Sequence, residues 1–252
     1  MSIPLESPET TSHPALRVAI TGGTSGLGLA LVREWRARGA QVAFVARNRG
    51  RVERTAREQE GTFGVVGDIS RKEEIYPIAT RILGSLGGLD VLVNNASSLG
   101  PTPLAFLGDT DCEEFSVAIA TNLLGPFRLT KALLGALAAS AREGRGSVVL
   151  NLSSDAAVTP YPRWGAYGAS KAALLHMSRI WHEELIADGI RVLAIDPGDM
   201  DTPLHALAVP DSDPSELLRP EVAATRLSDA IAAELAAQRF AGTHPALHPS
   251  PA

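Results

Sequence analysis

Tyr167 and Lys171 stand four residues apart, and the pattern after them (Ala172 to Ala187) has helical periodicity, so both side chains belong on one helix face. A tyrosine is a poor acid–base group at its ordinary pKa of about 10, but a neighbouring ammonium favours the phenolate. Lowering that pKa by about three units requires about 4 kcal/mol of differential stabilisation, much of which one desolvated cation can supply. Ser154 precedes the tyrosine, just beyond the strand-like run Ser147 to Leu152 in Asn151-Leu152-Ser153-Ser154. A carbonyl carbon that receives hydride leaves its oxygen in need of a proton donor and a second hydrogen bond. Tyr167 can provide the first and the Ser154 hydroxyl the second.

A second group of residues suits an anion. Thr21-Gly22-Gly23-Thr24-Ser25-Gly26-Leu27-Gly28 joins a β-branched run to a helical pattern (Leu29 to Arg38) that closes at Gly39. Glycines at 22, 26 and 28 in such a turn let backbone N–H groups approach a pyrophosphate and bring the helix dipole onto it. The spacing is G-x-x-x-G-x-G rather than G-x-G-x-x-G, and no Gly-Lys-Ser/Thr follows, which excludes a Walker-type phosphate loop. The next strand-like run ends Val45-Ala46-Arg47-Asn48-Arg49. An acidic residue at its end would accept both ribose hydroxyls. Here Ala46 fills that position, and Arg47 is placed to pair with a 2′-phosphate, which favours NADP(H) over NAD(H). The plainer alternative is that Arg47, Arg49 and Arg51 form a solvated helix start. Asp68, beside Ile69 after the third run, either accepts from the adenine amino group or caps the helix that follows.

The elements that must position these groups alternate regularly. Strand-like runs at Arg17 to Thr21, Gln41 to Ala46, Phe63 to Val66, Val91 to Asn94, Ser147 to Leu152 and Arg191 to Ile195 are separated by segments long enough for crossover helices. Several are apolar almost throughout, as strands covered on both faces must be. The expected fold is a doubly wound parallel α/β sheet (Rossmann fold) in three layers with six or seven strands, binding ligands at the strands' carboxyl ends. With 252 residues, 45% hydrophobic, one domain over 15–240 is expected, flanked by flexible tails at 1–14 and 241–252. A net charge of −5 gives no general attraction to nucleic acid or anionic lipid, and no apolar run of membrane-spanning length occurs. Cys112 is the only cysteine and no basic, apolar leader opens the chain, so a cytoplasmic protein is expected. Metal binding is not expected: His176 and His182 lie six apart, on different helix faces.

Together the set Thr21-Gly22-x-x-x-Gly26-x-Gly28, Asn94-Asn95-Ala96, Asn122, Ser154, Tyr167-x-x-x-Lys171 and Pro197-Gly198 resembles the short-chain dehydrogenase/reductase family in its single-domain branch, over residues 16 to about 237. The resemblance implies an oxidoreductase that moves hydride between NADP(H) and a small carbonyl or alcohol. It implies that Tyr167 is the acid–base, that Ser154 polarises the substrate, and that Lys171 binds the nicotinamide ribose and lowers the pKa of Tyr167. Asn122 would help to hold a water relay, although a polar residue in an apolar helix can also bond its own backbone. Asn94, Asn95 and Ala96 would line the adenosine side, and Thr202, after Pro197 and Gly198, would contact the nicotinamide end.

The chain also departs from that pattern. Ser97 stands where relatives commonly have Gly, and Leu193 where they have Asn. The helical pattern Glu221 to Gln238 replaces the usual seventh strand, which removes the basis for assuming a homotetramer; a homodimer is the remaining expectation. The segment Asp199 to Pro220 stands where such enzymes place a substrate lid. With Leu99, Tyr161 and Trp164 it could line a pocket for a modest apolar ketone or aldehyde, unless Trp164 merely packs beneath the loop. An NAD-linked alcohol dehydrogenase and a non-catalytic dinucleotide-binding sensor are the alternative readings, the second disfavoured because a pure binder needs no phenolate.

Overall fold

A computed structural model describes residues 14–243, with side chains described through residue 239. Most of the two expected tails therefore lies outside the described residues. Strands β1 (Arg17–Thr21), β2 (Gln41–Ala46), β3 (Thr62–Val66), β4 (Val91–Asn94), β5 (Ser147–Leu152) and β6 (Ile190–Ile195) form one parallel sheet in the order β3-β2-β1-β4-β5-β6. The helices are α1 (Gly26–Ala37), α2 (Arg49–Glu58), α3 (Ile75–Leu86), α4 (Cys112–Ile119), α5 (Gly125–Arg142), α6 (Gly165–Leu185), α7 (Pro203–Ala208) and α8 (Pro220–Thr243).

The pleat of β1 divides the interior into two apolar layers. Val18 and Ile20 face Leu31 and Trp35 of α1 and Ile231 of α8, whereas Ala19 faces the side covered by Ile78 of α3 and Leu129 and Leu133 of α5. Each such aliphatic side chain contributes about 1.5–3 kcal/mol on burial. Every residue of β5 is buried, as its mainly apolar sequence requires, with Ser147 and Asn151 as buried polar exceptions. Among the described residues the sheet has six strands. The last described element is not a seventh strand but α8, which packs on α1 and is tied to its end by an Arg38–Asp229 ion pair of 2.7 Å. No helix of the described residues is long and apolar enough to cross a membrane.

Strand order reverses between β1 and β4, and their carboxyl ends part to leave a crevice there. The opposite end of the sheet is pinned by a buried carboxylate. Asp90, immediately before β4, accepts from Arg17 of β1 at 2.7 Å, from Arg145 at 2.7 Å and from Ser140 of α5 at 2.6 Å. Burial alone would push this carboxyl up, but these donors outweigh it and hold Asp90 well below the usual carboxylate range.

Candidate active site

The carboxyl ends of the strands open into a cleft of about 380 Å³. The turn after β1 forms one wall. Gly22 has a φ of +73°, a region that L side chains rarely adopt, and a Cβ on Gly28 would stand 2.1 Å from the Gly22 carbonyl oxygen. The helix start reaches the turn only because both lack side chains. Ser25 precedes α1 without a side-chain cap bond, and the first turn holds no acidic residue. The N–H groups of α1 and its positive dipole end thus remain available to an anion. Thr24, Ser25, Gly26 and Leu27 line the same wall.

At the end of β2, Ala46 and Arg47 line the cleft, joined by Arg51 from the first turn of α2. Neither arginine has an ion-pair partner among the described residues. Asn48 caps α2, its Oδ1 accepting from the Arg51 backbone N–H at 2.9 Å. Asp68 and Ile69 line the far end. Asp68 makes no helix cap: its Oδ1 accepts from the backbone and hydroxyl of Ser70, at 2.9 and 2.7 Å, in a local turn. An uncapped helix start and two unpaired guanidiniums fit a phosphorylated dinucleotide.

Helix α6 carries the chemical end. Tyr167, Lys171, Leu174, Ser178 and Trp181 recur at spacings of four, three, four and three, and all are buried. One face thus packs on the sheet with its two functional groups at the cleft. Trp164 lies edge-on to the Tyr167 ring at 5.6 Å, and both sit in an apolar cluster with Leu99, Leu104 and Leu204. The hydroxyls of Ser154 and Ser97 act on the Tyr167 phenol and favour its ionisation. Ser154 itself donates to Asp155 Oδ1 at 3.0 Å. Lys171 Nζ donates to the Leu152 carbonyl at 2.6 Å and lies 5.5 Å from the Tyr167 ring centre.

Burial is the dominant influence and pushes Tyr167 up to about 12; the Ser154 and Ser97 hydroxyls pull it back, and the carboxylates of Asp196 and Asp155 oppose them. The Lys171 ammonium is not among the leading influences and donates to the Leu152 carbonyl. Burial also brings Lys171 down to about 8, opposed by Asp196. At neutral pH the phenol is protonated and the lysine largely charged.

Asn122 sits between α4 and α5 in a π-helical segment, Ala120–Leu124, a rare geometry frequently found at functional sites. Its side chain bonds no carbonyl of its own helix. Oδ1 accepts from the Ser98 N–H at 2.8 Å and from Ser97 Oγ at 3.2 Å, while Nδ2 donates to the Ser98 carbonyl and to Ser170 Oγ, both at 2.8 Å.

Fifteen of the expected residues line the cleft, including Gly22, Gly28, Asn95, Ala96, Pro197 and Thr202, whereas Thr21, Asn94, Asn122, Ser154 and Gly198 do not. Thr21 is buried instead as a staple, its Oγ1 accepting from the N–H groups of Asn95 and Ala96 at 3.0 and 3.1 Å. Asn94 faces away, donating to Asn151 at 2.8 Å and Thr130 at 3.2 Å inside the α5 layer. Thr202 caps α7, its Oγ1 accepting from the His205 N–H at 3.2 Å. Sequence reasoning missed Arg51 and Ser97 as cleft residues. The helical position of Arg51, four after Arg47, could have indicated the first; nothing in the local pattern marks the second.

The comparisons agree with this geometry. Residues 17–213 match the family described as short chain dehydrogenase. A curated relative, L-fucose dehydrogenase of Mus musculus, is 32% identical over 205 residues, covering 81% of this chain and 72% of that protein. The structure of 3-ketoacyl-(acyl-carrier-protein) reductase from Brucella melitensis complexed with NADH superposes with a TM-score of 0.78 at 29% identity, over 84% of this chain and 88% of that one. Actinorhodin polyketide ketoreductase with NADPH gives a TM-score of 0.79 at 25% identity, over 88% and 92% of the respective chains. With a parallel sheet reversing at β1, a glycine turn shaped for a dinucleotide and a tyrosine–lysine face at the same cleft, the chain belongs to the short-chain dehydrogenase family of nicotinamide-dependent oxidoreductases.

Proposed function

We propose that the protein is an NADPH-dependent carbonyl reductase acting on a modest apolar ketone or aldehyde, the reverse oxidation being open to the same groups. The observation that carries this reading is the Tyr167 phenol, buried at the cleft and held protonated far above neutral pH. A phenol in that state is a proton donor, which is what a reduced carbonyl oxygen requires.

When bound, the reduced dinucleotide supplies the hydride. Tyr167 gives its proton to the substrate oxygen, and Ser154 turns its hydroxyl from Asp155 to hold the same oxygen. Lys171, anchored on the Leu152 carbonyl, presents its ammonium beside the phenol and supports binding of the ribose. Leu99, Leu104, Trp164 and Leu204 exclude water around Tyr167 and favour an apolar substrate body. Arg47, with Arg51 beside it, pairs with a 2′-phosphate.

The test is titration with NADPH and NADH, followed by a panel of apolar ketones and aldehydes read by nicotinamide absorbance. A charge-assisted hydrogen bond contributes about 1.5–3 kcal/mol, so Arg47→Ala is expected to weaken NADPH binding about 10- to 100-fold and NADH binding little. Equal affinities for both dinucleotides in both proteins would remove Arg47 from this role and favour the NAD-linked alternative.

A further inference from the structure

Ser154, Asp155 and Tyr161 form a short chain of hydrogen bonds. The Ser154 hydroxyl donates to Asp155 Oδ1 at 3.0 Å, and the Tyr161 hydroxyl donates to Asp155 Oδ2 at 2.7 Å. The Ala156 N–H, in the 3₁₀ turn Asp155–Ala157, is shared between Asp155 Oδ1 at 2.7 Å and Ser154 Oγ at 3.2 Å. Burial opposes the charge on Asp155, but the Tyr161 and Ser154 hydroxyls outweigh it and hold the carboxyl below the usual carboxylate range. An ionised carboxylate has no proton to give, so the single proton of Ser154 is committed to Asp155. Ser154 Oγ then offers a substrate only a lone pair, although a reduced carbonyl oxygen calls for a donor.

We propose that Asp155, held by Tyr161, is a positioning residue that parks the Ser154 hydroxyl until negative charge develops on the substrate oxygen, an inference that rests on the carbonyl reduction proposed above. A neutral ketone oxygen is a weaker acceptor than a carboxylate, so Ser154 stays on Asp155 when the ketone binds. As hydride arrives the oxygen becomes anionic, and the balance reverses. The hydroxyl then turns, and the carboxylate is not stranded: it keeps the Ala156 N–H, the Tyr161 hydroxyl and, being exposed, water. Asp155 makes and breaks no covalent bond; the Ser154 O–H bond stays intact and reorients, and the proton on the product oxygen comes from Tyr167. Tyr161 sets how strongly Asp155 competes, because a carboxylate that shares its charge with a second donor pulls less on the first. Trp164 is the ring neighbour of both Tyr161 and Tyr167, at 6.4 and 5.6 Å between centres, so the pair is set beside the acid.

Hydride transfer is read in a single turnover, as loss of NADPH absorbance, with the most rapidly reduced carbonyl of the panel. Asp155→Asn keeps an acceptor for the Ala156 N–H and removes the charge. It is expected to speed hydride transfer about threefold to tenfold with the half-saturating carbonyl concentration unchanged, because the Ser154 bond it frees is made only as charge develops. Tyr161→Phe leaves the carboxylate with one donor fewer and is expected to slow the step about twofold to threefold. In a Ser154→Ala background neither substitution is expected to change the rate, which separates parking of the hydroxyl from the direct field of Asp155 on Tyr167. Without substrate or cofactor, ¹³Cγ-aspartate NMR, with the Asp155 resonance identified by its loss in Asp155→Asn, should show the carboxyl titrating at higher pH in Ser154→Ala and in Tyr161→Phe than in wild type. A rate in Asp155→Asn no higher than wild type, the same gain in the Ser154→Ala background, or an Asp155 titration indifferent to Ser154→Ala would overturn the proposal. Full turnover by Tyr167→Phe would instead sink the proposed function, so the two failures are distinguishable.

Discussion

A buried ammonium one helical turn from a buried phenol is a costly arrangement, and the two side chains were legible in the sequence to different depths. The four-residue spacing correctly placed Tyr167 and Lys171 on one face, because helix geometry depends on backbone alone. The balance of their electrostatics was not legible: it depends on burial and on a carbonyl from β5, 19 residues away in the chain, that the lysine finds at 2.6 Å. The lowering of Lys171 from 10.5 to about 8 corresponds to about 3 kcal/mol of strain in the charged form. Replacing it by a similarly shaped apolar side chain relieves that strain and forfeits a bond worth about 1–2 kcal/mol. Lys171→Met is therefore expected to unfold in urea with a stability about 1–2 kcal/mol higher at neutral pH, while losing turnover. The sign follows from the depressed pKa: the charged form is disfavoured in the fold below about pH 8, so the variant's advantage shrinks as pH rises past that point. A variant less stable than wild type at pH 7 would show that the ammonium is well solvated or paired.

At the scale of elements, the strands were the most legible part, each within a residue of its expected bounds, because parallel strands covered on both faces must be apolar runs. The turn after β1 was equally plain, since only glycine fits both the positive φ at position 22 and the 2.1 Å approach at position 28. What stayed hidden were the features that need two distant segments at once. The π-helical turn around Asn122 has no local signature; it becomes intelligible only when Ser98 and Ser170 are seen to bond the amide from either side. Asn94 and Asn95 are neighbours in sequence but alternate across a pleat, so one lines the cleft while the other holds the layer behind it. Periodicity named both and could not separate their tasks until the end of β4 was in place.

For the whole molecule, the reversal of strand order at β1 opens the cleft at one end, and the Asp90 cluster closes the other. That carboxylate joins β1, α5 and the approach to β5 through Arg17, Ser140 and Arg145. Removing one partner from a buried ion cluster typically costs about 3–5 kcal/mol, because the remaining charges lose their compensation. Asp90→Asn is expected to lose about 3 kcal/mol at pH 7 in chemical denaturation. Its folded pKa lies below the unfolded value of about 3.9, so this stability is present above that value and is lost as pH falls below about 4. The gap between variant and wild type should accordingly narrow in acid. An unchanged gap down to pH 2 would show that Asp90 does not titrate through this cluster.

The phenol itself bears the most direct test. With a substrate found in the carbonyl panel, kcat and NADPH affinity are measured for Tyr167→Phe, which keeps the ring against Trp164 and removes only the proton donor. A positioned general acid contributes about 10²- to 10⁴-fold, so kcat is expected to fall by that factor with the NADPH dissociation constant unchanged. Turnover equal to wild type would contradict the assignment of proton transfer to Tyr167.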